Sequence, residues 1–242
     1  LAGLCILMGI SLRLSWPMCL NMLILGALFS HMAFGNIGST KYIPISLAAL
    51  LFFIYPPLVT LINAVINKKY PGLIKLIAIG ITFSGLGVML GIGFEQFDYR
   101  GIIIGLTAGI ACAINIVWVN RRVKNVHPFV IVFYQSIIAA VIILVLAIEL
   151  EELRFPENRV GWWGFALIIL LQSCSIPLFY FSIQRIGPES TGLFNNLQPV
   201  ASIVAAVVIF NEILTGERLV GAFMVLLGII IVQIVDYKRI RH

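Results

Sequence analysis

Residues 182–233, SIQRIGPESTGLFNNLQPVASIVAAVVIFNEILTGERLVGAFMVLLGIIIVQ, repeat residues 39–90, STKYIPISLAALLFFIYPPLVTLINAVINKKYPGLIKLIAIGITFSGLGVML. Pro44 matches Pro188, Ser46 matches Ser190, Pro56 matches Pro199, Lys75 matches Arg218 and Gly85 matches Gly228. The offset is 144 residues before the mid-helix prolines and 143 after them, so one residue was gained or lost between. Each copy reads as an apolar helix interrupted by proline near its middle, a loop, and a second apolar helix. Paired repeats with interrupted hydrophobic segments are a pointer to a secondary transporter, and the interruptions point to its binding site.

The rest of the chain supports a membrane setting. Hydrophobic residues make up 61% of it and charged residues 11%, with mean hydropathy +1.07. A soluble domain carries about 25% charged residues, so this chain has too few to cover its surface. Apolar runs long enough to cross the hydrocarbon as helices fall near 17–39, 45–66, 73–93, 101–120, 128–148, 160–183, 190–210 and 216–235. They are expected to be helical because lipid offers unpaired backbone groups no partner. Short connections such as 40–44 and 211–215 make neighbouring spans antiparallel, and a single bundle is expected. Residues 1–12, LAGLCILMGISL, are too short to span, and no basic segment with a cleavage site marks them as a signal peptide. At the repeat offset the first copy would begin about 43 residues before Leu1. The chain is therefore expected to lack one span and most of another, from a whole protein of about ten.

Basic residues separate by side when the connections are numbered alternately. Arg13, Lys68, Lys69, Lys75, Arg121, Arg122, Lys124, Arg185, Lys238, Arg239 and Arg241 fall on one side; Lys41, Arg100, Arg154, Arg159 and Arg218 fall on the other. The second side also takes most of the acids: Glu95, Asp98, Glu149, Glu151, Glu152, Glu157, Glu212 and Glu217. The positive-inside rule places the first set and the C-terminus in the cytoplasm, in a plasma or bacterial inner membrane. The basic balance thus reflects topology and anionic headgroups, not nucleic acid. It also sets Lys68 and Lys69 on the side opposite their repeat partners' loop, with Glu212 and Glu217. The two copies are expected to be inverted, with five spans in each: residues 1–93 the C-terminal part of the first repeat and 101–235 the second. Cys5, Cys19, Cys112 and Cys174 lie in apolar runs without ligand spacing, so no metal site or disulfide framework is expected, and no cofactor is called for.

Lys41-Tyr42, Ser46, AALLF at 48–52 and Pro56, with Gly187-Pro188, Ser190 and the run NLQPVASIVAAVVIFNEILTGERLVGAFMVLLGIII, resemble the EamA-type repeat of the drug/metabolite transporter superfamily. The order Glu212, Glu217, Gly221 and Gly228 extends the resemblance, which covers nearly the whole chain. It implies an all-α polytopic membrane protein: ten spans in two inverted five-helix repeats, a central cavity and alternating access. Members often have Glu before the mid-helix Pro of each copy; here those places hold Tyr55 and Gln198.

Polar groups within spans are costly unless they face the bundle interior or a wet cavity. Thr191, Asn195, Gln198 and Ser202 fall at i, i+4, i+7 and i+11, one face of a helix. Ser173, Tyr180 and Gln184 form a second such stripe, with Pro177 on it. Asn195 and Gln198 are read as cavity-lining, with hydrogen bonding across a packed interface as the alternative; the serines are read as bonded to their own helix. Pro56 and Pro199 each remove a backbone bond and clash with the carbonyl four residues earlier, leaving those of Phe52 and Asn195 short of a donor. Tyr55, Asn115, Trp118, Tyr134 and Gln135 suit a pocket for a small, partly apolar molecule, with Trp118 equally suited to anchor at the interface. Trp16, Trp162 and Trp163 are read as anchors. His31 is the one His, Asp, Glu, Lys or Arg deep in a span; it reads either as a neutral histidine bonded between helices or as a proton-coupling group. Gly87 and Gly91, like Gly101, Gly105 and Gly109, permit close helix approach.

These features point to a carrier of small organic solutes such as amino acids, metabolites or drugs. No ATPase motif is present, and no basic residue sits centrally to favour a strongly anionic substrate. An intramembrane lipid-modifying enzyme would need acids, bases or metal ligands gathered together, and ELEELRFPENR (149–159) reads instead as a solvated loop. A non-transporting membrane subunit would share the fold. Oligomeric state is open, a homodimer included.

Overall fold

Prolines, glycines and short polar side chains punctuate an otherwise apolar sequence into helices. The computed structural model describes residues 5, 9–43, 45–68, 71–89, 98–151, 153, 155–198, 200–201 and 215–240. Its helices are α1 (Trp16–Ser39), α2 (Ile45–Phe52), α3 (Tyr55–Asn67), α4 (Leu73–Met89), α5 (Tyr99–Arg122), α6 (Pro128–Glu149), α7 (Arg159–Ile186), α8 (Pro188–Asn195) and α9 (Gly216–Ile240). No strand occurs among the described residues. Pro44, Pro199, Ser202, Lys69, Gly91, Glu95, Glu152, Arg154 and Glu212 lie outside them, as do residues 202–210 of the 190–210 span.

The helix starts follow capping chemistry. Asp98 accepts a bond from the Arg100 backbone N–H (2.8 Å), and Asn158 accepts one from Gly161 (2.7 Å), each satisfying a donor that a helix start leaves unpaired. α7 ends at Gly187, whose φ of 86° an L side chain rarely adopts. Pro188 then opens α8 at once, its missing N–H being no loss in a first turn.

Five segments are long and apolar enough to cross a membrane: Trp16–Ser39, Leu47–Asn67, Tyr99–Arg122, Pro128–Glu149 and Arg159–Ile186. Two more of the expected spans hold shorter apolar stretches, Leu73–Val88 and Leu219–Val232. The protein is an all-α polytopic membrane protein. Its outward surface fits that setting: Leu167, Ile169 and Leu170 of α7 are all exposed, a patch that water would not tolerate and lipid does.

The interrupted helices break four residues before their prolines. α2 stops at Phe52, four residues before Pro56, the distance at which a proline ring clashes with a helix carbonyl, and α8 stops at Asn195, four positions before Pro199 in the sequence. The second span is thus two helices joined through Phe53 and Ile54, not a bent rod. The Leu51 and Phe52 carbonyls at the break face Gly109 of α5: a β-carbon there would stand 2.8 and 3.1 Å from them. Glycine lets the α5 backbone close over the break.

α1 packs on α5 and α6, α2 and α3 on α5, α7 on α6 and α8, and α3 on α8. The core between them holds Met22, Leu25, Tyr55, Val59, Ile116, Ile131, Tyr180 and Ile183. α4 and α9 form the most extensive pairing among the described helices. A β-carbon on Gly85 would lie 2.8 Å from the Gly221 carbonyl, and one on Gly228 2.7 Å from that of Ala78. Adding 143 to Gly85 and to Ala78 gives Gly228 and Gly221, so the two contacts exchange under the repeat offset.

Candidate functional site

Near the middle of the bundle lies a cavity of about 500 Å³, within the range of small-molecule sites. α1 supplies Phe29 and Met32, α5 supplies Cys112, Asn115 and Ile116, and the two helix breaks supply Phe52, Tyr55, Asn195 and Gln198. α7 forms a whole wall, from Ile168 to Tyr180. Among the described residues no lining side chain carries a charge; the polar groups are four amides and the hydroxyls of two tyrosines and Ser175.

The two breaks touch at this cavity. The Asn195 side-chain amide donates to the Tyr55 hydroxyl at 2.7 Å and lies 3.5 Å from the Gln198 Oε1. Gly192 brings the helices close enough that a β-carbon there would sit 3.4 Å from Pro56 Cβ. Tyr55 and Gln198, equivalent under the repeat offset, therefore meet through Asn195.

A second polar cluster closes the cavity between α5, α6 and α7. The Tyr180 hydroxyl lies 2.6 Å from Gln135 Oε1 and 2.9 Å from Asn115 Oδ1. It has one proton to share between those two acceptors. The Asn115 Nδ2 donates towards the Leu25 carbonyl and Gln135 Oε1, both at 3.4 Å. Gln135 is fully buried, and its Nε2 has no partner among the described residues.

Beyond this cluster, at the end where α7 passes into α8, polar contacts tie the helices together. Ser182 Oγ and Thr191 Oγ1 share a hydrogen bond of 2.8 Å, and Gln184 donates to the Val126 carbonyl at 2.8 Å. Lys75 of α4 forms an ion pair with Glu189 of α8. Lys75 is almost fully buried and Glu189 largely so.

Of the residues singled out in the sequence, Tyr55, Asn115, Tyr180, Asn195 and Gln198 line one cavity, and Gln135 backs it. Four others lie elsewhere. Tyr134 donates to the Leu12 carbonyl at 2.8 Å and does not reach the cavity. Trp118 donates to Asn21 Oδ1 at 2.9 Å and stacks against Arg122 near the end of α5. Three residues advance a helix by 300°, and the remaining 60° carries Trp118 past the wall that Asn115 faces. Ser173 is not among the lining residues, whereas Gln172 and Ser175 are. His31 is exposed on α1 and makes no hydrogen bond among the described residues. Thr191 bonds the Gly187 carbonyl of its own helix. Gln172, Ser175 and Phe179 escaped notice, although with Ile168 they repeat the i, i+4, i+7, i+11 spacing that marks Asn195 and Gln198. Among the described residues no three His, Cys, Asp or Glu gather as metal ligands.

The sequence pattern of the EamA-like transporter family matches residues 99–234. The chain is 24% identical over 209 residues to an uncharacterized transporter of Synechocystis sp., covering 84% of this chain and 62% of that protein. It is 30% identical over 135 residues to the uncharacterized inner membrane transporter YhbE of Escherichia coli, covering 54% and 41%. With the uncharacterized transporter YyaM of Bacillus subtilis it shares 24% identity over 192 residues, 75% and 62% of the two chains. It thus spans between about two fifths and three fifths of these relatives' length. A solved crystal structure, 19% identical, superposes with a TM-score of 0.77 over 96% of this chain and 82% of its own.

Proposed function

This chain belongs to the EamA-like transporter family, and on that premise we propose that the whole protein is a secondary transporter of small, uncharged or zwitterionic organic solutes. The cavity at the meeting of the two helix breaks binds the solute, with Asn195, Gln198, Tyr55, Asn115 and Tyr180 as its polar contacts. Alternating access then moves the two repeats about that meeting point.

The observation that supports this reading is the cavity's chemistry. Aromatic faces and amides at mid-bundle can stack on and hydrogen-bond a partly apolar solute, and without a fixed charge they give little to a strongly anionic one. The interrupted helices bring polar backbone to the same place, where it is tolerated because it lines a cavity. A catalytic role is favoured where carboxylates, imidazoles or metal ligands gather, and the described lining is built instead of amides, aromatic rings and aliphatic side chains. The orientation belongs to the same proposal: the Lys68, Lys75 and Arg121 end, with the C-terminus, faces the cytoplasm.

Uptake by proteoliposomes holding the full-length protein tests the proposal. Amino acids, nucleosides, sugars and cationic drugs are offered with and without an imposed pH gradient. Saturable flux of at least one uncharged or zwitterionic class is expected, and competition within that class. Protein that is folded yet moves none of the panel would reject it.

A further inference from the structure

A second cavity, of about 510 Å³, opens on the opposite side of α5 from the first. Ile62 and Ile66 of α3 and Ile114 and Trp118 of α5 form its walls, and Arg121 and Arg122 lie at its mouth. Ile66 and Ile114 are exposed, on helix faces turned away from the residues that line the central cavity. α3 and α5 both reach the end of their membrane-crossing segments here, at Asn67 and Arg122. The isoleucines therefore face acyl chains, and the guanidinium groups stand at headgroup level.

Both arginines are held in place without being neutralised. Arg121 donates through Nη2 to the Asn67 side-chain oxygen, leaving its other N–H groups free to donate. Arg122 lies over the Trp118 ring, 5.7 Å from its centre, a cation–π geometry that fixes direction and keeps the charge. Neither pairs with a carboxylate among the described residues. Two positioned guanidiniums above an apolar slot match a phosphodiester carrying acyl chains, since planar N–H forks suit phosphate oxygens.

We propose that this groove between α3 and α5 is a binding site for one anionic phospholipid, its phosphate on Arg121 and Arg122 and its upper acyl segment along Ile62, Ile66 and Ile114. Headgroup charge selects the lipid; the isoleucine walls distinguish it from a soluble phosphate.

Native mass spectrometry of the full-length protein tests this, with phosphatidylglycerol and phosphatidylcholine of matched chains added in equal amounts. Preferential retention of phosphatidylglycerol is expected. Each basic side chain near an anionic surface contributes about fivefold, so Arg121→Gln with Arg122→Gln should reduce the preference roughly 25-fold. Arg121→Lys with Arg122→Lys, which keeps both charges, should retain most of it. Ile66→Trp leaves the arginines in place and fills the slot, so it should lower retention as well. Equal retention of the two lipids by the unaltered protein would overturn the site. An equal loss in Lys124→Gln, at the same end but outside the groove, would assign the effect to diffuse charge and overturn it too. Displacement of the lipid by millimolar glycerol phosphate would show that the acyl contacts are idle, and with them the lipid assignment would fall.

Discussion

Asn195 sits where both interrupted helices meet. Its amide holds the Tyr55 hydroxyl across the cavity, and a hydrogen bond of this kind contributes about 1 kcal/mol net. Asn195→Ala and Gln198→Ala are expected to raise the KM for transport roughly five- to tenfold while melting within a few degrees of the unaltered protein. Radiolabelled uptake alongside a thermal melt in detergent separates the two effects. Tyr180→Phe acts differently, because its hydroxyl is shared by two buried amides. Stranding those groups is expected to cost about 1–3 kcal/mol of stability, seen as a lowered melting temperature even without solute. His31→Ala, on the exposed side of α1, should leave both flux and its response to a pH gradient unchanged. An altered gradient response would restore His31 to a coupling role. Residue choice within spans was legible where polarity and helical spacing agreed, as for Asn195, Gln198 and Tyr180. It failed for Tyr134 and Trp118, whose polar tips reach a backbone carbonyl and a neighbouring amide instead. No spacing rule contains the identity of the partner helix.

Helix-level behaviour depends on how closely the backbones meet. A β-carbon on Gly228 would fall 2.0 Å from the Thr82 hydroxyl oxygen and 2.7 Å from the Ala78 carbonyl, whereas Gly80 has open space around it. Gly228→Ala is expected to destabilise by about 1–3 kcal/mol through overpacking; Gly80→Ala should be neutral or slightly stabilising, since alanine is the better helix former. Melting temperatures of the two variants in one detergent make the comparison. The ion pair between Lys75 and Glu189 ties α4 to α8. Glu189→Gln removes the acceptor's charge from a partly buried pair and should lower the melting temperature. The repeat shows why this tie is one-sided: Lys75 is matched by Arg218, but the place of Glu189 is taken by Ile45. The helix boundaries were the legible part of this level, because proline and glycine act locally. That the second span is two helices and not one bent helix depends on Gly109 admitting α5 to the break, a contact between segments far apart in sequence.

Across the whole molecule, the charge asymmetry and the cavity make a joint demand. Lys68 and Arg121 should be reached from the cytoplasm and Lys41 from the other side. Single cysteines at these positions, in a background with Cys5, Cys19, Cys112 and Cys174 replaced, are expected to react accordingly with an impermeant maleimide in whole cells and inverted vesicles. The opposite pattern would reverse the proposed orientation, and the same side for all three would overturn the alternating topology. The all-helical, membrane-crossing class was plain from composition and run length, and the duplication pointed to where the breaks would lie. The volume and walls of the cavity were not, since they arise from which faces of α1, α5 and α7 close together. The uncharged lining also carries an electrical consequence. Moving one elementary charge through the full membrane potential changes its energy by about 2.3 kcal/mol per 100 mV. On the proposed function, a solute site made of the described lining residues carries no charge of its own through that field when it turns from one face to the other. For a solute of no net charge the cycle is then voltage-blind: clamping the proteoliposome potential with potassium and valinomycin should leave the rate where it was.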